Sequence, residues 1–268
     1  MATVTDDLGF PMSFDAPCER VVSLVPSLTE SVALTEANAL AGATDWCTHP
    51  AGLSVQRVRG TKNPNVAMIV ELKPDVVLAN KEENRRKDVE ALRAAGVPVW
   101  VTQVESVPQA ITSLERMFVQ ALGWPVPAWL DEVRGAWPAA LPRVTHRGAV
   151  VIWREPWMVV GAATFTGDLV RHLGVENVFG AASSRYPKVE VDDVLKQRPD
   201  VVLLPDEPYP FAPADGPEAF PTVPTCLLSG RLLTWYGPSL RTARAELLAS
   251  ISEAVRWPGR RRPAAKPR

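Results

Sequence analysis

The stretch KPDVVL, residues 73–78, recurs in the second half of the chain as RPDVVL, residues 198–203. The prolines of the two copies stand at positions 74 and 199, an offset of 125. The dipeptide Val97-Pro98 recurs as Val223-Pro224 with an offset of 126. Because the offsets keep the same order and nearly the same size, they predict two lobes of similar topology.

Apolar runs rich in β-branched residues surround these repeats. They occupy residues 21–25, 75–79, 97–101, 149–153, 200–204 and 223–228. The runs that begin at positions 21 and 149 add a third offset of 128. The runs are nearly continuous rather than alternating, which is typical of parallel strands covered on both faces.

Helical patterns lie between these runs. Ser27-Leu28-Thr29-Glu30 has the spacing of a capping box and predicts a helix that begins there. Further helices are predicted over 84–95, 128–137, 166–173, 191–197 and 240–255. The alternation of strands and helices predicts an α/β fold of two lobes, each a parallel sheet flanked by helices, with a helical linker.

The predicted limits follow from this pattern. They are 1–19 for an N-terminal extension, 20–122 for the N-terminal α/β lobe, 123–147 for a helical linker, 148–257 for the C-terminal α/β lobe and 258–268 for a basic disordered tail.

Composition narrows the classes of function. The 268 residues carry a formal net charge of −1, so no overall field favours nucleic acid or a membrane surface. The sequence contains no apolar run of membrane-spanning length, and no membrane insertion is expected. Residues 1–20 have no apolar signal core, and three scattered cysteines suit a reducing compartment, so a cytoplasmic location is predicted.

Enzyme signatures are absent from the sequence. It has no phosphate-binding GxxxxGK[ST], no GxGxxG after a strand and no GxSxG elbow, so a binding protein is predicted rather than an enzyme. The three histidines are far apart, and only His49 lies near a strand-end loop, so no intrinsic metal or cofactor is predicted.

In open parallel sheets, ligands bind beyond the carboxyl ends of the strands. The loops there are rich in aromatic and charged residues, which suit a flat or aryl ligand. The candidates are Glu82, Glu83, Trp153, Arg154, Trp157, Glu207, Tyr209, Arg231, Trp235 and Tyr236. Two alternatives stay open: Trp153 and Trp157 pack a core, and Glu82 and Glu83 form a solvated loop. Arg154 and Arg231 are candidates to face an anionic ligand group.

Several motifs, in order, resemble class III periplasmic binding proteins, which include the vitamin B12-binding and iron–siderophore-binding proteins of ABC importers. The motifs are RVVSLVPSLTE at 20–30, LKPDVVLA at 72–79, GVENVF at 174–179 and LTWYGP at 233–238. The resemblance spans roughly residues 20 to 255. It implies two α/β lobes joined by a backbone helix, with a ligand cleft between the lobes.

The resemblance also implies a ligand, a partner and positions. The ligand would be a cobalamin-type corrinoid, a ferric siderophore or haem, bound by a monomer that delivers it to an ABC importer permease. Trp46 and Tyr186 match aromatic positions that contact the ligand, and Asn80 replaces another. His49 is a weak candidate for an axial ligand to a corrinoid or haem.

The relatives present one acidic residue per lobe to the transporter. Asp192 matches the second-lobe position, whereas the first-lobe position falls at Arg86, a charge reversal. Two further hypotheses therefore remain: a cytoplasmic sensor or carrier that has lost transport, and an enzyme that uses the same cleft.

Overall fold

The computed structural model describes residues 3–14 and 16–256, and the chain divides into two compact units. Unit 1 extends to Ala139 and also contains Trp235–Arg241. Unit 2 contains Ala140–Thr234 and the chain from Thr242 onward. The predicted linker, 123–147, therefore crosses from one unit to the other, and 235–241 lies in unit 1 instead of the C-terminal lobe. The predicted tail, 258–268, lies outside the described residues.

Unit 1 holds nine strands and five helices among its described residues. The strands are β1 Val4–Thr5, β2 Pro11–Met12, β3 Val21–Ser23, β4 Leu40–Ala43, β5 Gln56–Arg57, β6 Arg59–Gly60, β7 Asn63–Pro64, β8 Val76–Asn80 and β9 Val99–Thr102. The helices are α1 Pro26–Glu36, α2 Val66–Glu71, α3 Arg86–Ala94, α4 Val107–Arg116 and α5 Ala128–Ala136, with a π-helical turn at Met117–Leu122.

Unit 2 is smaller but built in the same way. Its strands are β10 His146–Trp153, β11 Met158–Val159, β12 Val175–Asn177, β13 Val201–Pro205 and β14 Thr225–Leu228. Its helices are α6 Phe165–His172, α7 Val191–Lys196 and α8 Gly230–Thr234, and α9, Leu240–Val255, begins in unit 1 and continues in unit 2.

Each unit contains a parallel sheet flanked by helices, so the predicted fold class is confirmed. In unit 1 the strand order is β5-β4-β3-β8-β9, with every pairing parallel. In unit 2 the parallel strands follow the order β12-β10-β13-β14, and the short β11 pairs antiparallel with β10. The order β4-β3-β8-β9 thus repeats as β12-β10-β13-β14, which confirms the similar topology that the offsets predict.

The continuous apolar runs have a direct structural cause. All five residues of β8 and all five of β13 are buried, so both faces of these central strands are covered. Such strands need apolar side chains at consecutive positions rather than at alternate ones. All six predicted strands are present, and their bounds shift by a few residues.

The repeated sequence motif builds the same clamp in both units. In unit 1 the Asp75 carboxylate accepts hydrogen bonds from the backbone N–H groups of Glu19 and Arg20, both at 2.8 Å. The Arg20 side chain in turn donates to the carbonyl of Leu72 at 2.7 Å, at the end of α2. The Lys73 backbone between them is left-handed, with φ 47°.

The second copy has the equivalent contacts around Arg147, Gln197 and Arg198. The Asp200 carboxylate accepts from the backbone N–H of Arg147 at 2.9 Å. The Arg147 side chain donates to the carbonyl of Gln197 at 2.8 Å, and Arg198 has φ 52°. The recurrence of K/R-P-D in the sequence therefore reflects one structural device, which ties a helix end to the start of a neighbouring strand.

Helix α1 begins one residue earlier than predicted. Pro26 occupies its first turn, the N-cap residue is Val25, and no side chain caps the helix. Proline has no N–H to satisfy, so it suits the first turn of a helix. Ser27 and Thr29 therefore lie inside the helix, where the Thr29 hydroxyl donates to the carbonyl of Val25 at 3.0 Å. The predicted helix at 128–137 is confirmed as α5, within unit 1.

The start of the chain forms a hairpin on unit 1. Strands β1 and β2 pair antiparallel, and the buried Asp6 lies between them. Its carboxylate accepts from the backbone of Phe10 at 2.8 Å and of Val101 at 3.3 Å, and it pairs with Arg93 at 2.7 Å. No helix among residues 3–14 and 16–256 is both long and apolar enough to cross a lipid bilayer.

Candidate functional site

The strand-end loops, defined as the segments that follow the carboxyl ends of the parallel strands, carry most of the predicted site residues. In unit 1 the loop after β4 meets the segment Trp235–Arg241. The ring of His49 packs edge-on against the indole of Trp235, with centroids 5.4 Å apart and planes at 88°. Trp235 is 8% exposed, whereas His49 is half-buried. This contact joins two predicted residues that lie far apart in the sequence.

Tyr236 lies in the interior of unit 1. It is 5% exposed, and its hydroxyl is 3.2 Å from the Thr102 hydroxyl at the end of β9. Burial raises the pKa of Tyr236 well above its ordinary value, and the nearby charge of Glu83 acts in the same direction. The phenol therefore stays neutral and fixes the segment that carries Trp235.

Gly237 allows this segment to approach α1 closely. A Cβ at this position would lie 2.9 Å from the Ser31 hydroxyl and 3.0 Å from the carbonyl of Ser27. Both distances are shorter than ordinary carbon–oxygen contacts, so any side chain here would push the segment away from the helix.

Asn80 organises the loop after β8. It is buried, its amide nitrogen donates to the Thr102 hydroxyl at 3.2 Å, and its amide oxygen accepts from the backbone of Glu82 at 2.8 Å. This bonding leaves the side chain of Glu82 exposed and that of Glu83 half-buried. Asn80 thus shapes the loop from inside.

The loop after β4 holds an exposed candidate, Trp46, beside a buried thiol, that of Cys47. Trp46 is 68% exposed, the highest value among the large apolar side chains of the described residues. The neighbouring Cys47 is buried, and its sulfur contacts the hydroxyls of Thr29 at 3.0 Å and Thr44 at 3.1 Å. Burial raises the pKa of the Cys47 thiol, so it remains protonated and unreactive.

In unit 2 the aromatic residues come from the end of β10 and from the loops after β10 and β13. Trp153 is 41% exposed, and the ring of Tyr209 packs edge-on against it, with centroids 5.7 Å apart. Trp157 is half-buried, lies parallel to Phe211 at 6.1 Å and meets Phe220 edge-on at 5.5 Å. Trp153 therefore offers an open aromatic surface, whereas Trp157 belongs largely to the apolar core of unit 2.

Arg154 forms an ion-pair cluster beside Trp153. Its guanidinium binds the carboxylates of Asp215 and Glu218, and the Tyr209 hydroxyl donates to Asp215 at 2.7 Å. The hydrogen bond and charge of Glu218, together with those of Asp215, raise the pKa of Arg154 despite partial desolvation. The hydrogen bond to Asp215 likewise raises the pKa of Tyr209, which therefore remains neutral.

The remaining candidates of unit 2 lie around these loops. Glu207 is half-buried and packs against Gly230, where a Cβ would lie only 2.1 Å from the Glu207 side chain. Arg231 is half-buried in α8. Tyr186 is half-buried in the segment after β12, where its backbone N–H donates to the Ser184 hydroxyl at 3.3 Å.

The two predicted docking positions lie on helices. Asp192 is exposed in the first turn of α7. Arg86 is also exposed, and it pairs with Glu90 one turn later in α3 at 2.6 Å. Both side chains are thus accessible in their own units.

Metal ligation by the protein finds no support in the described part of the chain. Residues 3–14 and 16–256 contain no group of three or more His, Cys, Asp or Glu side chains that could hold a metal ion.

Sequence reasoning missed Thr102, Asp215 and Glu218. Thr102 ends an apolar strand and gives no signal by itself. Asp215 and Glu218 flank Gly216-Pro217, a turn sequence in a loop rich in proline. That turn signal marks the loop but does not indicate that its acids pair with Arg154, 61 and 64 residues earlier.

Comparisons with known proteins agree with this geometry. No family model matches the chain. It is 27% identical over 205 residues to the vitamin B12-binding protein of Vibrio vulnificus strain YJ016, which covers 70% of this chain and 72% of that protein. The structure of the periplasmic vitamin B12-binding protein of Vibrio cholerae superposes with a TM-score of 0.72, at 18% identity, over 90% of this chain and 99% of the other. A periplasmic haem-binding protein in complex with two haems gives a TM-score of 0.75, at 24% identity, over 88% and 98%.

Two duplicated α/β units with aromatic strand-end loops have the fold of solute-binding proteins. In sequence and in fold the chain is similar to the class III periplasmic binding proteins, the superfamily that its motifs indicate. Its similar proteins are binding proteins rather than enzymes, and the solved neighbours are periplasmic by name, which does not support the predicted cytoplasmic location.

Proposed function

We propose that this chain is the substrate-binding component of an ABC importer and that it binds a metal–organic ligand such as a corrinoid, haem or a ferric siderophore. The observation that carries the proposal is the exposed indole in each unit, Trp46 on the loop after β4 in unit 1 and Trp153 at the end of β10 in unit 2. Aromatic faces of this kind bind flat, conjugated ligands with little loss of conformational entropy. The names of the similar proteins support the same class of ligand.

Binding is tested by titration of the protein with cyanocobalamin, haemin and a ferric tris-catecholate, followed by tryptophan fluorescence. We expect saturable quenching by at least one of these ligands, because all three absorb in the range of indole emission. Trp46→Phe and Trp153→Phe should each weaken the affinity. Trp124→Phe is the matched control, since Trp124 donates to the Cys18 carbonyl at 3.1 Å, away from the strand-end loops. A protein that binds none of the three ligands would contradict the proposal.

The partner follows from the same proposal. The exposed Asp192 is placed to pair with a basic group of the permease. Asp192→Arg is expected to reduce ligand-stimulated ATP hydrolysis by the reconstituted importer and to leave ligand affinity unchanged. If the hydrolysis rate is unaffected, Asp192 is not a docking residue.

One observation favours a second candidate, a ligand carrier or sensor that no longer serves a transporter. Arg86 is 91% exposed in its side chain and would repel the basic group that the first-lobe acid of the relatives meets. Fractionation of host cells separates the two candidates. A product outside the cytoplasm supports the importer component, and a cytoplasmic product supports the carrier.

A further inference from the structure

The ion-pair cluster of unit 2 contains more acid than base. One guanidinium, that of Arg154, binds two carboxylates, those of Asp215 and Glu218. A third carboxylate, that of Glu155, lies 3.9 Å from the Arg154 Nε and is 86% exposed. Within this cluster one positive charge therefore faces three negative charges.

The cluster lies directly against the open aromatic surface. Arg154 follows Trp153 in the chain, and the Tyr209 ring that packs on Trp153 carries the hydroxyl bound to Asp215. A ligand that covers Trp153 and Tyr209 therefore approaches the carboxylates of the cluster. At such a distance, and with water partly excluded, a ligand with a positive group should bind several-fold more tightly than a ligand with a negative group.

Arg154 does not act as an open receptor for an anion. Its Nη1 donates to both Asp215 and Glu218, and its side chain is only 25% exposed. A ligand carboxylate would have to displace a partner that the protein already supplies. The sequence interpretation of Arg154 as a group that faces an anionic ligand is therefore replaced by a structural role as counter-ion.

The loops after β13 and β8 do not reverse this balance. Asp206 and Glu207 follow β13 in the same unit, and Arg231 lies in α8. In unit 1, taken by itself, the loop after β8 sets Lys81 against Glu82 and Glu83. Neither set supplies a surplus of positive charge for a polyanion.

We propose that the ligand is uncharged or cationic at its periphery, a metal chelate whose outer groups are amides or amines rather than carboxylates or catecholates. This inference rests on the proposed function and narrows its ligand class by charge. A corrinoid with amide side chains fits the description, and a tris-catecholate chelate of iron does not.

The test uses pairs of ligands that share one macrocycle and differ in the charge of their side chains. The first pair is cyanocobalamin and its monocarboxylic acid, in which one propionamide is hydrolysed. The second is haemin and its dimethyl ester. We expect the protein to bind the member without the carboxylate about tenfold more tightly in whichever pair it accepts, and added salt to reduce this ratio.

Variants link the preference to the cluster. The double variant Asp215→Asn/Glu218→Gln frees Arg154 and should bring the ratio within each pair close to one or reverse it. Glu176→Gln is the matched control. Glu176 lies on β12 of the same unit, is exposed and pairs with Arg147, so its substitution removes a carboxylate outside the cluster. Thermal unfolding of each variant establishes that it folds.

The outcomes are distinct. Equal or tighter binding of the carboxylate members, or of a ferric tris-catecholate, overturns the charge inference and leaves the proposed function standing. An unchanged ratio in the double variant overturns the role of the cluster. A protein that binds none of these ligands overturns the proposed function and the inference together.

Discussion

Unit 1 and unit 2 share four parallel strands in the same order and the same clamp around the K/R-P-D motif, yet their strand-end loops are fixed in different ways. In unit 1 the loops are fixed by buried, uncharged groups, through the contacts of Tyr236, Thr102 and Asn80. In unit 2 the loops are fixed by a partly exposed ion-pair cluster around Arg154. The contrast teaches that one scaffold can fix its strand-end loops either with buried, uncharged groups or with partly exposed ion pairs.

The largest expected effect concerns a buried pair in unit 1. Asp6→Ala removes a fully buried carboxylate, and the guanidinium of Arg93 then loses the negative charge that it pairs with. We expect the free energy of unfolding to fall by about 3 kcal/mol, measured by urea denaturation. Asp215→Ala in unit 2 breaks a partly exposed pair and should cost about 1 kcal/mol or less. A larger loss for Asp215→Ala would contradict the contrast between buried and exposed pairs.

A second comparison uses two glycines in close contact. A Cβ on Gly230 would lie 2.1 Å from the Glu207 side chain and 2.8 Å from its carbonyl oxygen. Gly230→Ala should therefore destabilise unit 2 by about 2 kcal/mol. At Gly237 in unit 1 the added Cβ would lie at the longer distances given above, so Gly237→Ala should lower the free energy of unfolding by about 1 kcal/mol. Thermal unfolding of both variants checks the order, and the reverse order would show that the backbone at Gly230 yields easily.

The duplicated clamp gives a third comparison. The Asp75 carboxylate accepts from the backbone of Glu19 and Arg20, and that of Asp200 accepts from the backbone of Arg147. Because Asp200 is half-buried and Asp75 is exposed, we expect Asp200→Ala to lower the free energy of unfolding by about 1 kcal/mol, and Asp75→Ala by about half as much. Asn variants retain one acceptor oxygen and serve as controls. Equal losses, measured by urea denaturation, would mean that the greater burial of Asp200 adds nothing measurable.

The fourth comparison uses two tyrosines, one of which should have the smallest effect of all. Tyr236→Phe loses a buried hydroxyl contact and should cost about 1 kcal/mol, whereas Tyr209→Phe should change stability little. Burial raises the pKa of Tyr236, so its phenol contributes stability below its ordinary pKa near 10 and loses that contribution as pH rises through the folded value. We therefore expect stability above pH 10 to fall less steeply in Tyr236→Phe than in the wild type. Parallel curves for the two proteins would contradict this assignment.

Much of the scaffold follows from local sequence. Central strands covered on both faces require continuous apolar runs, so those at 76–80 and 201–205 are readily predicted. Strand β4, LAGA at 40–43, contains glycine and alanine and carries little strand signal. The start of α1 was displaced because the preference of proline for the first turn outweighs a capping pattern one residue later.

The site itself was harder to predict, because its decisive contacts join distant residues. Arg154 meets Asp215 and Glu218 across more than sixty residues, and Tyr236 reaches Thr102 across 134. A sequence identifies the loops that hold such residues. It does not reveal that Tyr236 and Asn80 point inward while Trp46 and Trp153 remain exposed.

The segment Trp235–Arg241 completes unit 1, although it follows residues Ala140–Thr234 of unit 2 in the chain. A ribosome that has translated Ala139 must still add about a hundred residues before this segment emerges. At roughly 5–20 residues per second that takes about 5 to 20 s. During this interval the indole N–H of Trp137 lacks the Leu240 carbonyl that it binds at 2.8 Å, and His49 lacks Trp235. Unit 1 therefore cannot fold completely until the chain has been translated beyond position 235. A premature stop codon before that position would remove part of unit 1 as well as part of unit 2.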